Sequence, residues 1–390
     1  MARRELKVLF LSTWPPKPCG VATFSHDLTR AMLSVNPQLD YRVVAINDPG
    51  DAFSYPPVVR QQFERESLAS LRDVAAYVNA SGADVVSLQH EFGLWGGFDG
   101  EFILPFLDRL RVPVVATLHA VPFAESTFNR GNRLRLIAEI ARRVRHLVVF
   151  LPDARDYLID GLGIEPDKIS VIPHGAPVFN LGRRDDARAL LDISDRLVLT
   201  TFGLLSRFKG IEDAIQALPA LVAACPELLY LILGRPHPYE PADFYPGLQR
   251  LVSALDLDDH VRFVDRFLDD EDLADALVAT DIYLTPYRDL AQVSSGTLTF
   301  AVSAGRCCVS TPYVYARQVL ADGRGVLVPP EDPAALVQAL RPLLADAELR
   351  ERYGCAAGEF GAALHWPEIG RRYLETLEAL ALPSTPPSSR

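Results

Sequence analysis

Short, wholly apolar segments alternate with segments of helical periodicity along most of this chain, and this alternation restricts the fold more than any other feature. In the first half, the apolar runs lie at 6–12, 41–46, 84–89, 113–118, 146–151 and 169–173. Runs without polar alternation are typical of strands that are buried on both faces of a parallel sheet. The first half is therefore predicted to form a parallel sheet with helices packed on both faces.

The same pattern restarts in the second half of the chain. Six further apolar runs lie at 197–203, 228–234, 261–264, 281–286, 307–311 and 325–329. Strand–helix alternation that occurs twice predicts an α/β protein with two Rossmann-like, doubly wound domains. The length of 390 residues agrees with two domains, because a single hydrophobic core rarely serves more than about 300 residues.

The boundary between the domains is placed in 174–189, a segment with glycine, proline and charge but no clear period. Helical patterning after residue 346 breaks at Pro367 and then resumes. The predicted segments are a first domain at 1–178, a second domain at 179–365, a C-terminal helix at 366–382 and a disordered, Pro/Ser-rich tail at 383–390.

Composition excludes several classes of protein. The net charge is −11, with 39 basic against 50 acidic residues, and duplex nucleic acid selects a basic surface, so no nucleic-acid partner is expected. The apolar run near the N-terminus is shorter than a secretory signal, and no run approaches the ~20 residues of a membrane span. The five scattered cysteines include no C-x-x-C pair and indicate no metal site. A cytoplasmic location is the expectation.

Candidate functional residues are sought just after the predicted strands, because ligands of open α/β sheets bind beyond the carboxyl ends of the strands. Gly20 follows the first strand, and His119 ends the fourth. His90 and Glu91 follow the third strand, ahead of Trp95 and several glycines, a composition that suits a sugar-binding rim of stacked rings. The structural alternatives are a turn glycine, a core histidine and a loop that packs its own rings.

Two cations follow the first strand of the second half. Arg207 and Lys209 stand two residues apart, and Gly210 then precedes a predicted helix. Paired cations beside a helix N-terminus form an anion site that suits a diphosphate. The alternative interpretation is a solvated basic surface, which their position after a strand makes less favourable.

A run of small residues begins another predicted helix in the second half. Ser294, Ser295, Gly296 and Thr297 are small and mostly hydroxylic, and the helix is predicted at 296–304. Backbone N–H groups at such a helix start would let a phosphate approach closely. Capping by a single serine is the alternative, and it explains one serine but not the whole run.

Together these segments resemble the group 1 glycosyltransferases, which are retaining, nucleotide-sugar enzymes of the GT-B fold. The resemblance spans about residues 6–345 and rests on "PPKPCGVATF", "VIPHGAP", "GLLSRFKGIEDAIQAL", "VRFVDRFLDDEDLADALVATDIYLTPY" and "SSGTLTFAVSAGRCCVSTPY". It implies two Rossmann-like domains facing a central cleft, with the donor on the second and a C-terminal helix returning to the first. The first would bind the acceptor, with His90, Glu91 and Trp95 as candidates.

The resemblance also implies an activity. A hexose would pass with retention from a UDP- or GDP-linked sugar to a hydroxyl of a saccharide or other acceptor. Gly20 would lie near the diphosphate and His119 near the 6-hydroxyl of the transferred sugar. Arg207, Lys209 and the helix start at 295–297 would stabilise the leaving diphosphate. Because the departing phosphate oxygen takes the acceptor's proton, the implied mechanism needs no protein base, metal or cofactor.

Two positions depart from the family's pattern of two glutamates eight residues apart, one near the donor sugar and one at the ribose. Gln292 and Phe300 stand at these positions. Gln292 can still bind a sugar hydroxyl and is predicted to bind the donor with residues 294–297, whereas Phe300 cannot accept a hydrogen bond from ribose. Asp289 and Glu331 are candidate replacements for the missing carboxylate.

Two alternatives stay open, the first favoured by Phe300 and the second by the absence of both glutamates. One is a GT-B sugar phosphorylase, whose sugar phosphate has no ribose, and the other is a non-catalytic sugar-binding relative. The retained cleft residues argue against the second alternative. A dinucleotide-dependent dehydrogenase would need G-x-G-x-x-G after the first strand, which the sequence lacks. Some members of the family with lipid acceptors associate with membranes, but the net acidity and the lack of a basic amphipathic stretch do not indicate it here.

Overall fold

The computed structural model describes residues 6–122, 129–238 and 240–381. The chain divides into two compact units, one comprising the chain up to Gly175 together with the C-terminal segment from Trp366, the other Ala176–His365. Each unit is a parallel sheet flanked by helices, so the prediction of two Rossmann-like α/β domains is confirmed. The tail predicted as disordered at 383–390 lies outside the described residues.

The first unit contains a parallel sheet whose strands, within the described residues, have the order β3-β2-β1-β4-β5-β6-β7. The strands are β1 (Lys7–Ser12), β2 (Asp40–Asn47), β3 (Val59–Glu64), β4 (Val85–His90), β5 (Val114–Leu118), β6 (His146–Val149) and β7 (Ile169–Val171). The helices of this part are α1 (Gly20–Val35), α2 (Leu68–Ala80), α3 (Ile103–Leu107), α4 (Arg130–Arg143) and α5 (Pro152–Leu162).

The second unit repeats this design, with strand order β10-β9-β8-β11-β12-β13 in its described residues. Its strands are β8 (Leu197–Phe202), β9 (Leu228–Leu233), β10 (Val261–Val264), β11 (Ile282–Thr285), β12 (Cys307–Ser310) and β13 (Val326–Leu327). Its helices are α6 (Arg184–Leu190), α7 (Ile211–Val222), α8 (Phe244–Ala254), α9 (Asp270–Ala279), α10 (Gly296–Ser303), α11 (Val314–Val319), α12 (Pro333–Ala345) and α13 (Ala347–Gly361).

Two elements escaped the sequence analysis because neither shows a continuous apolar pattern. β3, with the sequence VRQQFE, is an edge strand that buries only Phe63 fully. All of α6 except Leu190 lies inside the segment 174–189 that was chosen as the boundary, and polar contacts hold this helix instead of an apolar face. Arg184 and Arg188 on α6 each pair with a carboxylate oxygen of Asp281, at 2.6 and 3.2 Å.

The last helix, α14 (Trp366–Leu380), packs against α1 within the first unit. A Cβ on Gly370 would lie 2.6 Å from the carbonyl carbon of Ala31, so glycine permits this close approach. The prediction of a break at Pro367 is wrong in its position. Pro367 lies in the first turn of α14, where a helix needs no N–H donor, and the irregular residues precede Trp366.

The described residues contain no helix long and apolar enough to cross a bilayer. In the same residues, no group of three or more His, Cys, Asp or Glu side chains is arranged to hold a metal ion. Cys307 and Cys308 are buried on β12, and burial raises the pKa of the Cys307 thiol to about 12. These two cysteines are therefore core residues and not reactive thiols.

Candidate functional site

Lys209 is held at the carboxyl end of β8 by a buried tyrosine. It closes a short 3-10 turn, Arg207–Lys209, that follows the strand. Its Nζ donates to the hydroxyl of Tyr287 at 2.6 Å and lies 3.8 Å from the centroid of the same ring. Because Tyr287 is fully buried and stacked on Tyr313 at 5.1 Å, the ammonium has a rigid support.

The same tyrosine connects Lys209 to the start of α10. The hydroxyl of Tyr287 lies 2.9 Å from Thr297 Oγ1, which in turn lies 3.2 Å from Ser295 Oγ. Ser295 caps the helix, since its Oγ accepts a hydrogen bond from the backbone N–H of Leu298. The structure therefore brings Lys209 together with the helix start at 295–297, two features that the sequence placed 86 residues apart (295 − 209).

Two glycines make this end of the sheet compact. Gly203 follows β8 with a φ of +123°, and a Cβ there would lie 3.2 Å from Thr297 Cγ2. Gly234 follows β9 with a φ of +126°, and a Cβ there would lie 2.0 Å from the carbonyl oxygen of Gly203. Only glycine tolerates both the positive φ and the contact distance. The ends of β8 and β9 and the start of α10 are therefore packed closely together at one edge of the sheet.

Arg207 differs from Lys209 in its surroundings. Its side chain is 53% exposed, and its Nε lies 3.2 Å from Oε2 of Glu240, whose side chain is 7% exposed. Glu240 also accepts from the backbone N–H of Arg207 at 3.3 Å. The charge of Arg207 is thus partly neutralised, whereas among the described residues Lys209 forms no ion pair within 4 Å. Lys209 is therefore the cation better placed to meet an anion.

Three polar residues of this edge were not singled out by sequence reasoning, namely Glu240, Tyr287 and His237. Each follows a strand, which was the available signal, but none belongs to a run of similar residues. His237 lies in the loop after β9, and its pKa is lowered chiefly by burial and also by the charge of Lys209. A neutral imidazole is therefore expected beside this lysine at pH 7.

The positions that depart from the family pattern lie on and before α10. Gln292 is half-buried, and its backbone carbonyl accepts from the N–H of Tyr315 at 3.0 Å, while Ser294 is half-buried next to the helix cap. Phe300 packs its ring against Phe179 and Phe202, with centroids 6.4 and 6.3 Å away. Phe300 thus makes apolar contacts within this unit, and a carboxylate at position 300 would lie beside the same aromatic rings.

The two candidate replacement carboxylates have other partners. Asp289 is exposed, and its Oδ1 accepts from the backbone N–H of Ala291 at 3.0 Å. Glu331 is exposed, and its Oε1 lies 3.8 Å from Nε of Arg288. Arg288 itself is held by both carboxylate oxygens of Asp213, at 2.6 and 2.8 Å. A ribose-binding role for Asp289 or Glu331 stays a prediction.

In the first unit, three imidazoles lie at the carboxyl ends of strands: His90 ends β4, His119 follows β5 and His174 follows β7. The backbone N–H of His119 donates to the carbonyl of His90 at 2.8 Å, and its Nε2 lies 2.9 Å from Oε1 of Gln89. Burial lowers the pKa of both imidazoles to about 3 and that of His174 to about 4. All three are therefore neutral at pH 7, and a neutral His119 can serve as a hydrogen-bonding group but not as a fixed positive charge.

Gly20 is the first residue of α1, the helix that follows β1. A Cβ added there would meet no atom within 4 Å, so packing does not require glycine at this position. On the same helix, Phe24 contacts the rings of His119 and His174 edge-on, with centroids 4.8 and 5.0 Å away. The roles predicted for Gly20 and His119 toward a donor stay predictions.

The acceptor-side candidates do not form a rim of exposed rings. Trp95 is 1% exposed and packs between Phe63 and Phe106, with ring centroids 6.0 and 5.5 Å away, so it cannot stack on a sugar in this conformation. His90 is fully buried as the last residue of β4. Glu91 caps a short turn by accepting from the N–H of Gly93. Trp95 is thus packed against neighbouring elements, as in the structural alternative, whereas Phe98 of the same loop is exposed. The acceptor roles of His90, Glu91 and Trp95 stay predictions.

Comparison with protein families gives two matches that follow one another along the chain. A family model described as Glycosyltransferase Family 4 matches residues 18–178. A second, described as Glycosyl transferases group 1, matches residues 175–346. Together the two matches extend over residues 18–346, which include most of both units that the structure separates.

Curated relatives match over about two thirds of the chain. A phosphatidyl-myo-inositol mannosyltransferase of Mycolicibacterium smegmatis is 31% identical over 281 residues, which are 69% of this chain and 66% of that protein. A D-inositol 3-phosphate glycosyltransferase of Corynebacterium diphtheriae is 27% identical over 279 residues, 66% of this chain and 63% of the relative. The match to a Mycobacterium leprae phosphatidyl-myo-inositol mannosyltransferase, 29% identical, covers 56% of this chain and 52% of that relative. The chain thus spans about half to two thirds of these relatives.

Solved structures resemble the chain over nearly its whole length. The sucrose-phosphate synthase from Thermosynechococcus elongatus aligns with a TM-score of 0.75 at 20% identity, over 96% of this chain and 99% of its own. Anabaena Alr3699/HepE in complex with UDP and glucose aligns with a TM-score of 0.76 at 16% identity, over 96% and 100%. At these identities the likeness concerns the fold.

Proposed function

The chain belongs to the group 1 glycosyltransferases, which confirms the resemblance drawn from its sequence, and we propose that it transfers a hexose from a nucleoside-diphosphate sugar with retention of configuration. The observation that carries the proposal is the chain of contacts from Lys209 through Tyr287 to Thr297 at the start of α10. It joins a cation to a helix N-terminus, and both favour an anion.

The diphosphate of the donor would lie against this edge of the second unit. The ammonium of Lys209 offers hydrogen-bond donors besides the one directed at Tyr287. Backbone N–H groups at the start of α10 lack intrahelical acceptors, as in every helix, and Ser295 satisfies the N–H of Leu298. The N–H groups of Gly296 and Thr297 are the proposed phosphate donors, and glycine at 296 permits a close approach.

Catalysis would rest on stabilising the charge of the leaving group. As the bond between the anomeric carbon and the diphosphate oxygen breaks, negative charge grows on that oxygen, beside Lys209 and the helix start. Preorganised donors of this kind are worth about 3–4 kcal/mol each when they meet developing charge. The acceptor hydroxyl attacks from the face that the diphosphate leaves, and the departing phosphate oxygen takes its proton. Arg207 would join after its contact with Glu240 loosens.

UDP is the proposed nucleotide, because the structurally similar Anabaena protein is described in complexes with UDP and with UDP-glucose. One observation favours a sugar phosphorylase instead. Phe300 packs on aromatic rings and provides no hydrogen-bond acceptor for the hydroxyl groups of ribose. Free sugar 1-phosphates would then replace the nucleotide sugar as substrate. Binding of nucleotides decides between the two functions.

The test is a thermal-shift screen of the full chain against UDP, GDP, ADP and dTDP, their sugar conjugates, and glucose 1-phosphate. A ligand that binds only the folded state raises the melting temperature by mass action. We expect a shift with one nucleotide that disappears in Lys209→Ala. A shift with glucose 1-phosphate alone would transfer the assignment to a phosphorylase, and nucleotide binding without turnover would support a non-catalytic relative.

A further inference from the structure

A cavity of about 590 Å3 opens in the first unit at the carboxyl ends of β2 and β3. Asn47 and Glu64, the last residues of these strands, belong to its lining. Ligands of open α/β sheets bind beyond the carboxyl ends of strands, and small-molecule sites have volumes of about 300–1,000 Å3. The position and the volume are therefore compatible with a ligand site that stays widely open to solvent, since Ser54, Gln62 and Glu64 of the lining are exposed.

The lining is rich in hydrogen-bonding groups and poor in positive charge. Asn47 and Gln62 contribute amides, Asp51 and Glu64 carboxylates, and Phe53 a half-exposed ring. Among the described residues that line the cavity there is no Lys, Arg or His. Such a surface can bind many hydroxyl groups, but it offers no cation to a phosphate.

The nearest cations are already neutralised by carboxylates. Lys17 Nζ lies 2.9 Å from Asp48 Oδ2 and 2.7 Å from Asp51 Oδ2. Arg65 Nε lies 2.7 Å from the other oxygen of Asp48. With Glu64 added, three carboxylates stand against two cations, a net charge of −1. An anionic group in the cavity would meet repulsion, whereas an uncharged group would not.

The polar groups are also held in fixed orientations. The Oδ1 of Asn47 accepts from the hydroxyl of Tyr55 at 2.6 Å, and its Nδ2 donates to Gln62 Oε1 at 2.9 Å. Since the oxygen of Gln62 is engaged, its Nε2 donors remain for a ligand. Phe53 rests on the ring of Tyr55, with centroids 5.9 Å apart. Fixed amide donors beside a supported ring are suited to a saccharide, with hydroxyls on the amides and a C–H face on the ring.

We propose that this cavity binds an uncharged saccharide as the acceptor. The proposal rests on the glycosyltransferase function and adds the class of acceptor. The acceptor is an uncharged saccharide of two or more sugar units, and one of its hydroxyl groups attacks the donor. Carboxylates at 51 and 64 accept hydrogen bonds from its hydroxyls and reject phosphorylated acceptors.

The test is calorimetric titration of the full chain with maltose, cellobiose and mannobiose, and with glucose and glucose 6-phosphate as a neutral and charged pair. At least one disaccharide is expected to bind, and Phe53→Ala and Gln62→Ala each to weaken it at least tenfold. Gln61→Ala is the matched control, because Gln61 is the neighbouring glutamine on β3 and is not part of the lining. It is expected to change binding less than twofold.

Glucose is expected to bind more tightly than glucose 6-phosphate. In Glu64→Gln, the ratio of the two dissociation constants is expected to be at least threefold smaller. The proposal is overturned if no disaccharide binds, if binding survives both Phe53→Ala and Gln62→Ala, or if the phosphorylated sugar binds more tightly. A parallel titration with UDP separates the two levels of inference. UDP binding without these saccharide effects removes the acceptor site and leaves the proposed transferase standing. Saccharide effects without nucleotide binding leave a saccharide site but remove the transferase, and with it the acceptor role of this cavity.

Discussion

The ammonium of Lys209, which follows β8, lies 2.6 Å from the hydroxyl of Tyr287, a fully buried residue that follows β11. This contact decides which of the two cations after β8 is preorganised. Tyr287 also reaches Thr297 at the start of α10, so one hydroxyl group positions both proposed parts of the diphosphate site. An electrostatic mechanism depends on such positioning, because donors that must reorganise stabilise the transition state less.

Replacing Tyr287 with phenylalanine is expected to weaken UDP binding about tenfold while the ring stack with Tyr313 keeps the fold. The expected loss corresponds to about 1–1.5 kcal/mol for one hydrogen bond. The measurement is calorimetric titration with UDP. Tyr313→Phe is the control, since Tyr313 stacks on Tyr287 but, among the described residues, no hydrogen bond joins its hydroxyl to Lys209 or Thr297. Equal effects of the two substitutions would contradict a positioning role for the Tyr287 hydroxyl.

Alanine at Lys209 is expected to cost more nucleotide affinity than alanine at Arg207. A hydrogen bond to a charged group is worth about 1.5–3 kcal/mol, which predicts a ten- to hundredfold loss for Lys209→Ala. Arg207→Ala is expected to cost less than tenfold, because Arg207 is half-exposed and already paired with Glu240. Dissociation constants for UDP at fixed salt provide the comparison. A larger loss of affinity in Arg207→Ala than in Lys209→Ala would show that the ion pair between Arg207 and Glu240 opens readily.

A glutamate at position 300 introduces the carboxylate that the family resemblance implies for ribose binding. Phe300→Glu is expected to tighten binding of UDP relative to pyrophosphate, which has no ribose, at least fivefold. It is also expected to lower the free energy of unfolding by about 1–3 kcal/mol, because ring contacts with Phe179 and Phe202 are lost. Phe300→Leu is the apolar control. No gain in the UDP preference would mean that ribose is held elsewhere.

Folding stability is expected to fall as the pH is lowered from 6.5 to 5.0. The pKa values of His90 and His119 are about 3 in the folded chain against about 6.5 when unfolded, so the unfolded state binds more protons. Each such imidazole contributes about 1.4 kcal/mol of destabilisation per pH unit below 6.5. Urea unfolding across this range measures the slope, and His90→Gln is expected to reduce it. An unchanged slope in that variant would mean that His90 is not neutral.

Transfer activity is expected to persist in excess EDTA, because Lys209 and the start of α10 are proposed to carry the charge of the leaving diphosphate. The initial rate with a nucleotide sugar, measured before and after chelation and again after adding Mg2+, provides the check. Loss of activity that Mg2+ restores would place a cation in the mechanism beside these groups.

The sequence predicted the architecture well because most strands are apolar at every position, as in β4, β8 and β9. The elements that it missed, β3 and α6, are defined by an edge position and by arginine contacts, which leave no apolar period. For the candidate site, it proposed Lys209 and residues 295–297 from their places after strands, and their roles stay predictions. Their connection through Tyr287 could not be predicted, since it depends on which strands are neighbours in the sheet.

The loop that contains Trp95 shows where composition alone could not predict the arrangement of side chains. Glycine and aromatic residues in one loop are compatible with both an exposed rim and a self-packed loop, and composition does not distinguish them. Backbone approach decides the matter here, because a Cβ at Gly96 would lie 2.1 Å from the carbonyl oxygen of Arg65. That approach folds the loop inward and buries Trp95.

The most direct test of the account is a proton NMR time course of the full chain with UDP-α-glucose and each disaccharide acceptor. The account predicts release of UDP together with a new glycosidic linkage in the α configuration, and loss of both in Lys209→Ala. A β-linked product would contradict retention. Formation of glucose 1-phosphate from saccharide and inorganic phosphate, without any reaction of UDP-glucose, would contradict the transferase itself.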